Sequence, residues 1–166
     1  MSTILKWGVI LGVLVEIWSY IYVGAGWHKS AATFGLFWIV FLIQIVVLVL
    51  ALRETAGQGR GYGGQVVAGT VVSIVGGIMI LIASYLCMTV VFPNYSREVL
   101  AMQEQGLRAA GKSEADIRTV MDMAAKTASP VLSSVFGCIG TIVTGFVASL
   151  VIGAFVRAKR PQPAQA

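Results

Sequence analysis

A single histidine, two cysteines and seven carboxylates are all that this 166-residue chain offers for metal binding or acid–base chemistry. Cys87 and Cys138 follow no metal-ligand spacing, and His28 alone cannot complete a zinc site. No metal, no cofactor and no catalytic residue is therefore expected. An enzyme acting on lipids would need clustered His, Asp or Glu at a headgroup boundary, and His28 has no carboxylate near it in sequence. Charge is scarce as well: 11% of residues are Asp, Glu, Lys or Arg, against roughly 25% in soluble domains. Together with 57% hydrophobic residues, this excludes a soluble globular fold. The net charge of +5 is not gathered into a patch with stacking aromatics, so nucleic acid is not an expected partner.

What the chain has instead is long apolar runs. A bilayer core about 30 Å thick needs about 20 residues of helix at 1.5 Å each. Four stretches qualify: 4–23, 31–52, 66–92 and 131–156. The expected fold is all-α: one polytopic membrane domain over residues 1–166, with four transmembrane helices and a short soluble helical insert, 94–129, between the third and fourth. The first run is longer than a secretory signal core of about 7–15 residues, and it contains Glu16, Trp18, Tyr20 and Tyr22. It reads as a retained span.

Membrane helices associate through small residues that let backbones approach. Gly8 and Gly12 share a face of the first helix with Val15 and Ser19, and Gly69, Ser73 and Gly76 mark the third with Ala83 and Cys87. On the fourth, Gly137, Gly140 and Thr141 share a face with Thr144 and Ala148, while Gly145 and Gly153 lie off it. These are the expected packing stripes, the last two facing each other. Glu16 lies beside the first stripe, past the middle of its span. Exposed to lipid it would cost roughly 2.5–3.5 kcal/mol on insertion scales, so it should face the interior, either protonated or paired with a hydroxyl or amide. Gln44, the polar exception in an otherwise apolar second helix, also needs a partner in the bundle. Ser84 and Thr89 can bond their own backbone or meet Glu16. Glu16, Gln44, Ser84 and Thr144 form the candidate polar site, although Gln44 lies deeper than Glu16. Both cysteines read as buried, unreactive thiols.

The connections are read in turn. A hairpin over 24–30 is flanked by Trp18, Tyr20, Tyr22, Trp27, Phe34 and Trp38, an interfacial aromatic belt, with His28 expected to be solvated. Gly59, Gly61 and Gly64 match G-x-G-x-x-G, but a phosphate loop must follow a strand, and here a membrane helix precedes it. That segment, 53–64, is expected to be a hydrophilic turn. Pro93 ends the third helix. The insert then reads as two helices: one over 96–110 ending at Gly111, the other opened by Ser113-Glu114-Ala115-Asp116 in a capping-box pattern. Ile117, Val120, Met121 and Ala124 share one face of the second, and Glu114, Arg118, Asp122 and Lys126 climb the other as a solvated ladder. Asn94-Tyr95-Ser96 matches a glycosylation sequon by coincidence. Ser129-Pro130 opens the fourth helix.

Four spans put both termini on one side. Lys and Arg tie at six on each side: Lys6, Arg53, Arg60, Arg157, Lys159 and Arg160 against Lys29 and five in the insert. The last three of the first set are directly juxtamembrane, which favours cytoplasmic termini, an external insert and a short tail at 161–166.

The Gly8/Gly12 start, Gly63-Gly64-Gln65 with Gly69, Phe92-Pro93-Asn94-Tyr95, Gly111-Lys112-Ser113-Glu114 and Pro130 before a Gly-rich last helix are similar to a known pattern. The chain resembles the bacterial family catalogued as domain of unknown function 4199 over nearly its whole length. The resemblance implies a four-helix integral membrane protein of bacterial type and carries no activity, and the bacterial inner membrane is the expected location. Two functions are expected on these grounds. The first is a non-enzymatic structural or accessory subunit that meets the bilayer, another membrane protein or itself. The alternative is a small proton-coupled or solute-conducting protein using Glu16.

Overall fold

A computed structural model describes residues 2–156, and no strand occurs among them. The basic cluster Arg157, Lys159 and Arg160 and the tail 161–166 lie outside the described residues. Helix α1 (Thr3–Gly24) is started by Ser2, whose hydroxyl accepts from the Leu5 N–H. The chain turns at Gly26 (φ 71°), a left-handed position suited to glycine, and passes through a 3-10 turn, Trp27–Lys29. Next come α2 (Ala31–Phe34), a second 3-10 turn (Gly35–Trp38), α3 (Ile39–Gly57) and α4 (Tyr62–Leu86). Helix α4 ends in a π-helical turn, Cys87–Val91, closed by Phe92 N–H donating to Cys87 O at 2.7 Å. The insert holds α5 (Tyr95–Ala109) and α6 (Glu114–Thr127), and α7 (Pro130–Phe155) completes the chain.

Four stretches are long and apolar enough to cross a membrane: Thr3–Gly24, Ala31–Gly57, Tyr62–Val91 and Pro130–Phe155. The expected architecture therefore holds, with two adjustments. The second span is not one continuous helix. Side chains of α1 bond the carbonyls at this break: Trp18 Nε1 donates to Leu36 O at 3.2 Å, and Tyr22 OH donates to Phe34 O at 3.3 Å. Its far end runs past Leu52 to Gly57, because Thr55 is buried and bonds Gln65 of α4. The hydrophilic turn shrinks accordingly to 58–61.

Helix α4 is the central element, packed along α1 on one side and α7 on the other, while α3 closes the bundle against α1 and α7. The expected stripes on α1 and α4 are contact faces. A Cβ built on Gly12 would stand 2.7 Å from Met79 Cβ, and one on Gly76 would stand 2.8 Å from Leu11 Cδ2. Gly8 meets Val75 in the same way, and a Cβ on Gly69 would overlap the Ser149 hydroxyl. Ser73 lies against Gly145.

The stripe expected on the last helix is corrected. A Cβ on Gly137 would come no closer than 3.9 Å to Ile80, and one on Gly140 would meet nothing within 4 Å. Helix α7 instead buries Ser134, Cys138, Gly145, Ser149 and Gly153. At 3.6 residues per turn, that face lies roughly a third of a turn round from Gly137, Gly140 and Thr141.

Each end of the bundle is tied differently. At the end carrying Thr3, Gly57 and Tyr62, Glu54 accepts from Lys6 Nζ and Trp7 Nε1, both at 2.7 Å. At the other end α5 docks on the first hairpin. Ser113 caps α6 by accepting from Asp116 N–H at 3.2 Å, after Gly111 ends the preceding turn at φ 70°. The charged ladder of α6 forms no ion pair within itself among the described residues. Arg108 of α5 bridges Glu104 at 2.9 Å and approaches Glu114 at 3.6 Å.

Candidate intramembrane site

The four spans separate in their insert-side half around a cavity of about 550 Å³. Glu16 and Ser19 of α1, Gln44 of α3, Ser84 of α4 and Thr141 and Thr144 of α7 supply its polar lining. Phe37, Trp38, Phe41 and Phe136 supply aromatic wall, and α5 and α6 contribute Val99, Gln103, Ala124 and Thr127 on the insert side. All four candidate polar residues thus face one space.

They are held as two pairs. Glu16 is 7% exposed, on the buried stripe that Gly8, Leu11, Gly12 and Val15 begin at helical spacing. Its Oε1 accepts from Ser84 Oγ at 2.8 Å, whereas its Oε2 is buried with no partner. Gln44 is 5% exposed, and both of its amide atoms are bonded across the bundle. Its Nε2 donates to Thr141 O at 2.7 Å, and its Oε1 accepts from Thr144 Oγ1 at 2.9 Å. No hydrogen bond joins Glu16 to Gln44 among the described residues. Gly137 and Gly140, which make no close helix contact, line the same space and leave it open.

His28 is the second correction. It is 1% exposed, not solvated, because α5 covers it. Its Nε2 lies 2.7 Å from Glu98 Oε2, Lys29 Nζ reaches the other carboxylate oxygen at 3.0 Å, and the Tyr95 ring packs 5.0 Å from the imidazole. The hydrogen bonds from His28 and then Lys29 hold the Glu98 carboxyl below its ordinary value. Burial pushes the Tyr95 phenol up to about 12. Tyr22, expected in an interfacial belt, is buried in this cluster between His28 and Phe37. Glu98 and His28 are 70 residues apart, and nothing in the sequence pairs them.

Residues 6–158 match the family model described as "Protein of unknown function (DUF4199)". The chain belongs to this family. The resemblance drawn from the Phe92-Pro93-Asn94-Tyr95 pivot and the Gly-rich last helix is thereby borne out. The DUF4199 match covers almost all of the four spans and the whole insert, so the cavity and the His28–Glu98 contact both lie inside it. No curated protein and no solved structure matches the chain. No group of three or more His, Cys, Asp or Glu able to hold a metal occurs among the described residues.

Proposed function

We propose that this chain is a non-enzymatic protein of the bacterial inner membrane that takes a small molecule into the hollow between its spans. The observation that supports it is Glu16 Oε2, buried without a partner in a cavity that Gln44, Ser84 and Thr144 also line. A buried polar atom left unpaired costs about 1–3 kcal/mol, and an incoming group that meets Oε2 removes that cost. An ionisable side chain inside a membrane is a functional candidate by default.

This favours the solute-handling expectation over the accessory-subunit one. An accessory subunit needs a face left for its partner, and the small-residue faces at Gly8, Gly12, Gly69 and Gly76 are all packed within one chain. The opposite half of the bundle is filled, with Leu11, Leu48, Leu52, Ala68 and Val72 fully buried. A solute therefore enters from the insert side, and passage across would require the packed half to part.

The test is flux of protons and of small solutes in liposomes, wild type against Glu16→Gln. Loss of flux supports a conducting role, and unchanged flux removes it while leaving binding to be measured separately. Termini in the cytoplasm and an external insert complete the proposal, on the strength of Arg157, Lys159 and Arg160 beside the last span. Labelling of Lys112 by a membrane-impermeant reagent in intact cells is the expected outcome.

A further inference from the structure

The hollow is one-sided in its chemistry. Glu16 is the only Asp, Glu, Lys, Arg or His among the residues lining it, so an anion would find no counter-charge there. Beside Glu16 itself the hydroxyl hydrogens are already committed. Ser84 donates to Glu16, Ser19 to Val15 O and Thr141 to Gly137 O, and the single Thr144 hydroxyl hydrogen is shared between Gln44 Oε1 and Gly140 O. Among the described residues lining the hollow, the polar atom buried without a partner is Glu16 Oε2. The same hollow is lined by ring systems: Trp38 and Phe41 stack with centroids 5.2 Å apart and an interplanar angle of 25°. Ring faces attract cations within about 6 Å of the centroid. Glu16 also borders a second groove, between α1 and α4, whose other walls are Gly12, Val13, Ile17, Met79 and Ala83 with the tyrosine Tyr20. Apolar surface thus surrounds the carboxyl on two sides.

We infer that the hollow takes a lipophilic organic cation, an amine whose nitrogen meets Glu16 Oε2 while its apolar body lies against Trp38, Phe41 and Phe136. The inference rests on the reading of the hollow as a small-molecule site and names the ligand class. An ammonium meeting a carboxylate and a neutral amine meeting a carboxylic acid arrive at one pair. In the second case the Oε2 proton moves to nitrogen and no other reactant is needed. A volume of about 550 Å³ lies within the range of about 300–1,000 Å³ that holds compact ligands.

The test uses the full chain in nanodiscs of zwitterionic lipid and three probes of matched length: 4-phenylbutylammonium, 4-phenylbutanol and 4-phenylbutyrate. Calorimetric titration is expected to rank the ammonium about tenfold or more tighter than the alcohol, with the carboxylate weakest. Glu16→Gln, which keeps size and can still accept from Ser84, is expected to abolish that preference by weakening ammonium binding far more than alcohol binding. Equal binding of ammonium and alcohol, tighter binding of the carboxylate, or a preference that survives in Glu16→Gln overturns the cation class but not the small-molecule site. Binding of none of the three overturns both. The ranking on the unaltered protein decides the matter even if Glu16→Gln does not fold.

Discussion

In the half of the bundle away from the insert, Leu11, Leu48, Leu52, Ala68 and Val72 are fully buried, whereas in the insert-side half the same four helices stand apart around Glu16 and Gln44. Small residues are present in both halves and do opposite things. Gly8, Gly12, Gly69 and Gly145 face a side chain of the opposing helix at close range, so the missing Cβ becomes contact. Gly140 faces no neighbour, so the missing side chain becomes space. Polar groups divide in the same way. Gln65, fully buried, accepts from Thr55 Oγ1 at 2.6 Å and donates to Leu52 O at 3.1 Å, whereas Glu16 keeps one oxygen open. A glycine or a carboxyl in a membrane helix is thus defined by what stands opposite it.

The largest expected effect comes from inserting the same side chain into each half. Gly12→Leu drives a branched side chain into Met79 and is expected to cost about 3 kcal/mol. Gly140→Leu enters open space and is expected to change stability by about 0.5 kcal/mol or less while filling the hollow. Reversible unfolding in mixed micelles measures both, and equal costs would erase the difference between the halves. Next in size are the two buried amides. Thr55 keeps Leu52 O and Thr144 keeps Gly140 O, so the difference lies in the surroundings: Gln65→Leu in the filled half is expected to cost about 2 kcal/mol, against about 1 kcal/mol for Gln44→Leu beside the hollow.

The spans, Ser84 as one candidate partner of Glu16, and the need of Gln44 for some partner in the bundle, though not Thr144 as that partner, were legible in the sequence for one reason. A polar group inside a bilayer must find a partner, and each of these helices offers few. The stripe on α7 was not legible in the same way. That helix carries small residues on two faces, and spacing alone does not say which one meets α4. The Gly145, Ser149 and Gly153 face does so because Ser73, Gly69 and Gln65 stand opposite it. His28 was misread because its burial depends on where α5 lands. Docking of an insert over 70 residues is tertiary information that no local pattern carries. The aromatic residues around the first hairpin were legible as a group, but Tyr22 turns inward to the cluster while Trp38 is 60% exposed.

The tie between insert and hairpin sharpens the comparison further, because it sits over the hollow half alone. Docking holds the Glu98 carboxyl below 4.5, its value when α5 is free. Docking is therefore fully stabilised above about pH 4.5, and that contribution is lost as the pH falls below it. Hydrogen exchange is expected to show α5 amides keeping their protection down to about pH 4.5 and losing it below, with α7 amides flat. Glu98→Gln should remove the pH dependence. Protection that does not change with pH would separate the insert from this contact. The smallest effect is expected at the opposite end, where Lys6 pairs with Glu54 half in solvent. Lys6→Ala should cost less than about 1 kcal/mol and less still at high salt.

The claim beneath all of this is that the insert-side half holds a solvent-reachable hollow and the other half does not. Single cysteines in a background with Cys87 and Cys138 replaced by Ser test it directly, one as Thr144→Cys on the cavity wall, the other as Ser149→Cys against Gly69. A charged methanethiosulfonate reagent is expected to modify the first and spare the second in folded protein. Modification of the position at 149 with protection at 144, or equal rates at both, would contradict it.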